Sequence, residues 1–453
     1  MKFSKQKQSG WGQVYTVEAN VWRPERSKDI SQALAQKDGA VIAQGLARSY
    51  GDASLQPNGM FSTKRLNKLL AFDEKTGELT AQAGVTISEI LAIFLHRGWM
   101  PAVMPGTRFV TLGGCVASDV HGKDCANGSF GRWVTKLVIH TAQEGRVVCS
   151  PTEREDLFKA TIGGMGLTGI IEEVTVKLQP VKSSAVDVQC LMFKNVQEGI
   201  RLFREHKGKQ TYMAAWIDGT AKGTSLGRGW LQLADEAKEP VLQKFYPEKE
   251  VRLAGKLFNL GATLVPSILL NFALNWVTLK ILNAYFYHSA RWGWQGRTEI
   301  PTFMFPLDKY PDWYRMYGKR GFYQFQCVIP DEKVEQVIPS LLRQASLAGG
   351  GSFFTTLKLF EHGGNAGVLS FPMEGMTLAM DFPRKGEKID ALVQSMADEV
   401  VKAGGKVYLT KDALLTKKQF QKMYPQAEDF FKIKKKYDPQ RKFWSDLAER
   451  VMG

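Results

Sequence analysis

The chain has 453 residues, 44% of them hydrophobic and 23% charged, and carries a net charge of +15. That length is more than one compact core usually holds, so two domains are expected, and the composition is that of a globular protein and argues against disorder. The positive excess calls for an anionic partner, whether phosphate groups, a membrane surface or nucleic acid.

The first residues, MKFSKQKQSGWGQ, have no apolar run of secretory type. Ala40 to Ala43 reads as a β-run leading into Gly45. Glu78 to Gly84 reads as a strand, and Ser88 to Arg97 as a short helix closed by Gly98. Val134 to His140 and Ile170 to Leu178 alternate as strands do, and Pro180 with Val181 to Ala185 marks a boundary. Beyond it, Asp331 to Leu347 and Lys388 to Ala403 read as amphipathic helices, the second stopped by Gly404-Gly405. Phe353 to Leu359, Met376 to Asp381 and Val407 to Thr410 look strand-like, and the last 40 residues are helical in pattern.

Leu257 to Leu279 contains no charged residue. Asn259, Thr263, Ser267, Asn271 and Asn275 recur there every four residues, which draws one polar stripe on a helix. Three readings stay open: a membrane span, a buried amphipathic helix, and a helix lying on a membrane or over a lipid cleft.

The five cysteines (Cys115, Cys125, Cys149, Cys190 and Cys327) are scattered without CxxC spacing. They suit a reducing cytoplasm and offer neither a disulfide framework nor a zinc site. The six histidines are dispersed too, so no metal is expected.

Three glycine-rich segments are candidates to cradle phosphates, because glycine lets backbone N–H groups approach an anion. They are Gln44 to Asp52, Pro105 to Gly131, and Gly163 to Gly169. The last holds a formal GxGxxG at Gly164 to Gly169. It is rejected as a dinucleotide fingerprint because Ile170 to Val176 is strand-like, and that motif must open a helix. Any one loop alone reads as a turn; three in order, all joined to β-runs, do not.

The order of these motifs resembles the vanillyl-alcohol-oxidase family of flavoproteins, and most of all its polyprenyl-phosphate-sugar oxidase branch. GLARSYGDASL, PGTRFVTLGGCVASDVHGK, GSFG, GGMGLTGII, YQFQCVIP, SFPMEGMTLAMDFP, YLTKDALLT and MYP with KKKYDPQRKFWSDLAERV carry the resemblance. It implies an α+β protein with a two-domain FAD-binding fold of the PCMH type. Residues 1–182 would form the FAD-binding domain and 183–405 a β-sheet-based substrate domain, with 406–453 returning to the first.

By position the resemblance places Gly45, Arg48, Ser49, Tyr50, Gly51, Asp52, Gly106, Thr111, Gly113, Gly114, His121, Gly122, Lys123, Ser129, Ile171 and Tyr408 around FAD. Many relatives attach the flavin through a histidine where this chain has Arg48, so non-covalent FAD is implied. Lys411, His121 and Tyr50 are implied as catalytic. Lys123, Trp216, Gln324, Gln326, Lys358 and Thr377 are implied as substrate-binding. A cysteine of that branch falls at Ala379, and an asparagine at Thr377, so the pocket differs from it there.

Oxidation of an alcohol needs a hydride acceptor and a group that takes the hydroxyl proton, and a lysine of lowered pKa serves as the latter. Lys411 is the leading candidate, with a surface pair to Asp412 as the plain alternative. Gln324 and Gln326, two apart, share one strand face. Lys358 lies in an apolar strand and either calls for an anion or faces outward, and Trp216 reads more often as core than as site.

The implied reaction is oxidation of a secondary hydroxyl of a sugar, namely the 2′-hydroxyl of a polyprenyl-phosphate-linked pentose. It would be the first half of an epimerisation in cell-envelope glycan synthesis, completed by an NAD(P)H-dependent short-chain reductase. The protein would be cytoplasmic and peripheral on the inner face of the plasma membrane. The alternatives are a soluble alditol or aldonolactone oxidase of the same fold, and a non-enzymatic anion binder. No nucleic-acid motif is found in the sequence to support the last.

Overall fold

A computed structural model of the chain describes residues 3–36, 38–246, 276–293, 295–310, 312–348, 354–363 and 366–453. Helices and three sheets make an α+β fold. A four-stranded sheet runs in the order Ser4–Ser9, Thr16–Trp22, Met60–Ser62, Ile42–Gln44. The second sheet is antiparallel and centres on Ile170–Pro180, flanked by Glu78–Gln82 and Val134–Thr141. The short strand Trp99–Pro101 pairs its far end, Pro180 lying opposite Trp99, so Pro180 ends a strand instead of interrupting one.

The third sheet has eight strands. In spatial order they are Gly296–Glu299, Ala185–Phe193, Gly229–Glu236, Tyr212–Ile217, Thr355–Phe360, Gly375–Pro383, Phe322–Pro330 and Lys406–Val407. Its two faces follow from the period of two along each strand. Ala215, Leu357, Leu378 and Cys327 form one rung, and all are buried. That face packs under the helices Val196–His206, Val334–Leu347 and Glu387–Lys402 through Ile200, Phe203, Ile338, Leu341, Met396 and Val400. Each such side chain withdrawn from water stabilises the fold by about 1.5–3 kcal/mol. The neighbouring rung, Trp216, Thr356, Ala379 and Gln326, points the other way. This second face carries the polar residues, and it forms one wall of the cavity described below.

Most expected elements are present within a few residues. Ile87–Phe94 is a helix with a Thr86–Glu89 capping box, and it ends through a short turn at Gly98, whose φ is +82°. The GxGxxG segment leads directly into the strand Ile170–Pro180, as its rejection requires. One expectation fails. Only Lys406–Val407 is a strand, because the chain folds back at once, with Lys411 N–H donating to Tyr408 O at 2.9 Å and Asp412 N–H at 3.0 Å. Residues 257–275, with their four-residue polar spacing, lie outside the described residues; the described helix Trp276–Gly293 follows them. Among the described residues no helix is long and apolar enough to cross a membrane.

Candidate active site

A cavity of about 360 Å³ lies between the glycine-rich loops and the polar face of the large sheet. From the loops it is lined by Gly45, Arg48, Ser49, Tyr50, Gly106, Thr111, Gly113, Gly114, His121, Lys123, Ile171 and Tyr408. From the sheet and the turn after it come Gln324, Gln326, Lys358 and Lys411. Sixteen of the sequence-predicted residues thus meet at one place, although they are drawn from residue 45 to residue 411.

The loop after Ile42–Gln44 is built to receive an anion. None of the N–H groups of Leu46, Ala47, Arg48 and Ser49 donates a hydrogen bond among the described residues, and Ala47 has a φ of +53°. Successive N–H groups around a left-handed residue form a nest of positive partial charge. Gly45 has to be glycine for a separate reason: a Cβ there would lie 2.3 Å from Thr111 Oγ1. Thr111 in turn caps the helix Leu112–Ala117 by accepting from Gly114 N–H. These donors, glycines and small apolar walls fit the pyrophosphate and rings of FAD.

Arg48 lies over the Trp11 ring at 4.0 Å and donates Nε–H to Phe109 O at 3.1 Å. A guanidinium offers no imidazole nitrogen for a flavin bond.

His121 is packed against Phe360, Phe371 and Tyr408. Burial, then the charges of Lys358 and Lys411, hold its pKa well below the usual histidine range, so the ring is neutral. The Gln326 amide donates to His121 Nε2 at 2.8 Å and to Thr377 Oγ1 at 3.1 Å. That assignment puts the ring proton on Nδ1, which has no partner among the described residues.

Lys411 extends its amino group over Tyr50, 3.7 Å from the ring centroid. Burial depresses its pKa to about 7, against the raising effect of Asp381. Burial likewise brings Lys123 to about 7 and Lys358 to about 8. Lys123 is tethered by donating to the Phe303 carbonyl. The expected alternative partner of Lys411 is otherwise engaged. Asp412 accepts from Arg450 Nη2 at 2.9 Å, and Arg450 also grips both Asp52 oxygens at 2.8 and 2.9 Å.

Six expected site residues do not line the cavity. Asp52 is taken up by Arg450. Gly51 and Gly122 are glycines for packing, since a Cβ would lie 2.0 Å from Asp412 O and 2.3 Å from Met104 O respectively. Ser129 is buried behind the wall, its backbone paired with that of His121. Thr377 orients Gln326 from behind. Trp216 is on the polar face but further along it, stacked on Trp230 at 5.9 Å and covered by Phe286 and Ala290. Conversely, Asp381, Trp11, Thr356 and Asp308 line the cavity without having been anticipated. Asp381 was within reach, because it continues the alternation of Thr377 and Ala379 on one strand face.

Over 452 residues the chain is 32% identical to the decaprenylphosphoryl-β-D-ribose oxidase of Mycolicibacterium smegmatis, spanning 98% of this chain and 96% of the relative. The chain belongs to that flavoenzyme family. Residues 19–150 match the FAD binding domain family, and 380–451 match the D-arabinono-1,4-lactone oxidase family. An uncharacterised protein of Streptomyces coelicolor is 30% identical across 81% of this chain and its own full length. The L-gulonolactone oxidase of Mus musculus is 22% identical over 38% of this chain and 40% of its own. As a family member this protein is an FAD-dependent oxidoreductase of the vanillyl-alcohol-oxidase type.

Proposed function

We propose that the protein oxidises the 2′-hydroxyl of a pentose carried on a polyprenyl phosphate. The observation that carries this reading is the convergence of Lys411, Tyr50, Gln324 and Gln326 on one cavity opposite the glycine-rich loops. The full-length likeness to an enzyme named for decaprenylphosphoryl-β-D-ribose supports the substrate class.

In this reading the free N–H groups of Leu46 to Ser49 and the loop at Gly106 hold the FAD phosphates. Thr111, Gly113, Gly114, Ile171 and Tyr408 line its remaining length. Bound FAD supplies the two-electron acceptor for the hydride leaving the carbinol carbon. The hydroxyl proton falls to Lys411, whose amine is substantially neutral at pH 7. Gln324 and Gln326 present amides to the sugar hydroxyls. Neutral His121 fixes the Gln326 amide by accepting from it at 2.8 Å. Lys123 and Lys358 supply positive charge for a substrate phosphate.

The helix Trp276–Gly293 turns Val277, Ile281 and Tyr285 outward, each more than half exposed, at a spacing of four. Together with the +15 net charge this supports peripheral attachment to an anionic inner membrane face from the cytoplasm, where a lipid-linked substrate resides. A ketone product needs a separate NAD(P)H-dependent short-chain reductase to complete a 2′-epimerisation.

The test is anaerobic mixing of the yellow holoenzyme with polyprenyl-phosphate pentoses and with free polyols or aldonolactones. Bleaching by the lipid-linked pentose alone is expected. Bleaching by the free compounds alone replaces this reading with the lactone-oxidase one, which the match at residues 380–451 favours.

A further inference from the structure

Asp381 is brought to the cavity wall by the register of the large sheet. It lies on Gly375–Pro383, directly opposite Gln324 on Phe322–Pro330, and lines the same cavity as Lys411. Its oxygens are held from two sides. Gln324 Nε2 donates to Oδ1 at 2.6 Å, and the Tyr317 hydroxyl donates to Oδ2 at 3.4 Å. Tyr317 is itself fixed by stacking on Phe322, with centroids 4.2 Å apart. The buried carboxyl is therefore positioned by Gln324 and by the buried Tyr317.

We propose that Asp381 is the charge partner of Lys411: as a carboxylate it stabilises the ammonium formed when Lys411 takes the proton of the substrate hydroxyl. The inference rests on the alcohol-oxidising reading of the same site. In the step concerned, the substrate O–H bond breaks and an N–H bond forms on Lys411, while the hydride equivalent goes to the bound cofactor. An ammonium formed in a dry cavity without a counter-charge is strongly disfavoured. Asp381 supplies that counter-charge while leaving the amine free to act at neutral pH.

Among the described residues, several elements bring groups to face this pair. Tyr50 comes from the first loop, Tyr317 from the turn at Trp313–Tyr317, Gln324 and Gln326 from one strand, Lys358 from another, and His121 from the second loop. Asp381 is the acidic group among them. Its own pKa is raised to about 7 by burial, against the lowering effect of the Gln324 hydrogen bond and Lys411. The titration belongs to the pair and not to either member.

The test follows the pH dependence of acetic anhydride labelling at Lys411 by peptide mass spectrometry, in holoenzyme carrying Asp381→Asn. Removing the negative charge lowers the labelling midpoint by about one pH unit. Asp381→Glu keeps the charge and leaves the midpoint near that of the parent protein. The pH profile of anaerobic flavin reduction should move in the same direction, with a lower plateau for the asparagine variant. A midpoint unchanged or raised by Asp381→Asn overturns the pairing. If that variant does not fold, failure of Asp381→Glu to keep the parent midpoint overturns it instead. Because the labelling needs no substrate, a wrong substrate assignment leaves this result standing.

Discussion

Gly51 presses its α-carbon against the backbone of Asp412, where an added methyl group would lie 2.0 Å from the carbonyl oxygen. The loop carrying Tyr50 and the turn carrying Lys411 are therefore in direct contact. Tyr50 N–H donating to Thr410 O at 2.9 Å makes the same join one residue away. Gly51→Ala should cost about 1–3 kcal/mol of stability, the usual penalty of overpacking, and should weaken FAD binding. Thermal unfolding and flavin-fluorescence titration measure the two effects. Gly106→Ala is the control for the apoprotein, because nothing lies within 4 Å of a Cβ at that position; its unfolding temperature should be unchanged.

Replacing Lys411 with alanine should lower the rate of anaerobic flavin reduction by about 10²–10⁴-fold, the usual contribution of a positioned acid or base, while FAD stays bound. In the parent enzyme the rate should rise with pH through about 7 and then level off, since burial sets the lysine near that value and the neutral amine is the active form. Stopped-flow absorbance across pH 5.5 to 9, roughly the window around that transition, reads both. A Lys411→Ala enzyme that reduces at the parent rate removes the residue from the mechanism.

The same burial has an opposite consequence for folding. The pKa of Lys411 is lower in the folded than in the unfolded chain, so between about pH 7 and the unfolded value the unfolded chain binds more protons, and stability rises with pH. Lys411→Met should therefore raise the melting temperature of the apoprotein at pH 7. The gain should shrink as pH approaches the unfolded value, about 10.4. Calorimetry at pH 7 and pH 9.5 compares the two conditions; a gain that grows with pH contradicts the depressed lysine.

Arg48 predicts how the flavin leaves. Acid precipitation of the holoenzyme should release all of the flavin into the supernatant, and the denatured band on a gel should show no flavin fluorescence. Flavin remaining with the precipitate would require an attachment residue elsewhere in the chain.

What could be read from the sequence depended on how local its cause was. Period-two alternation put Gln324 and Gln326 on one face and, carried two residues further than Ala379, would also have delivered Asp381. Glycine spacing located the loops but not the reason for each glycine. Gly45 makes room for Thr111, whereas Gly51 and Gly122 make room for distant carbonyls and touch no cavity. Val407 to Thr410 has the composition of a strand, yet hydrogen bonds from Lys411 and Asp412 back to Tyr408 O close a turn that local propensity does not announce. Trp216 needed tertiary knowledge altogether, because only the position of Trp230 and Phe286 removes it from the cavity.

Arg450 joins Asp52 to Asp412, reaching back across 398 residues to the first of them. Take Arg450 away and two buried carboxylates lose the cation that joins them. The alignment of the Tyr50 loop with the Lys411 turn thus depends on a side chain from a helix far away in sequence.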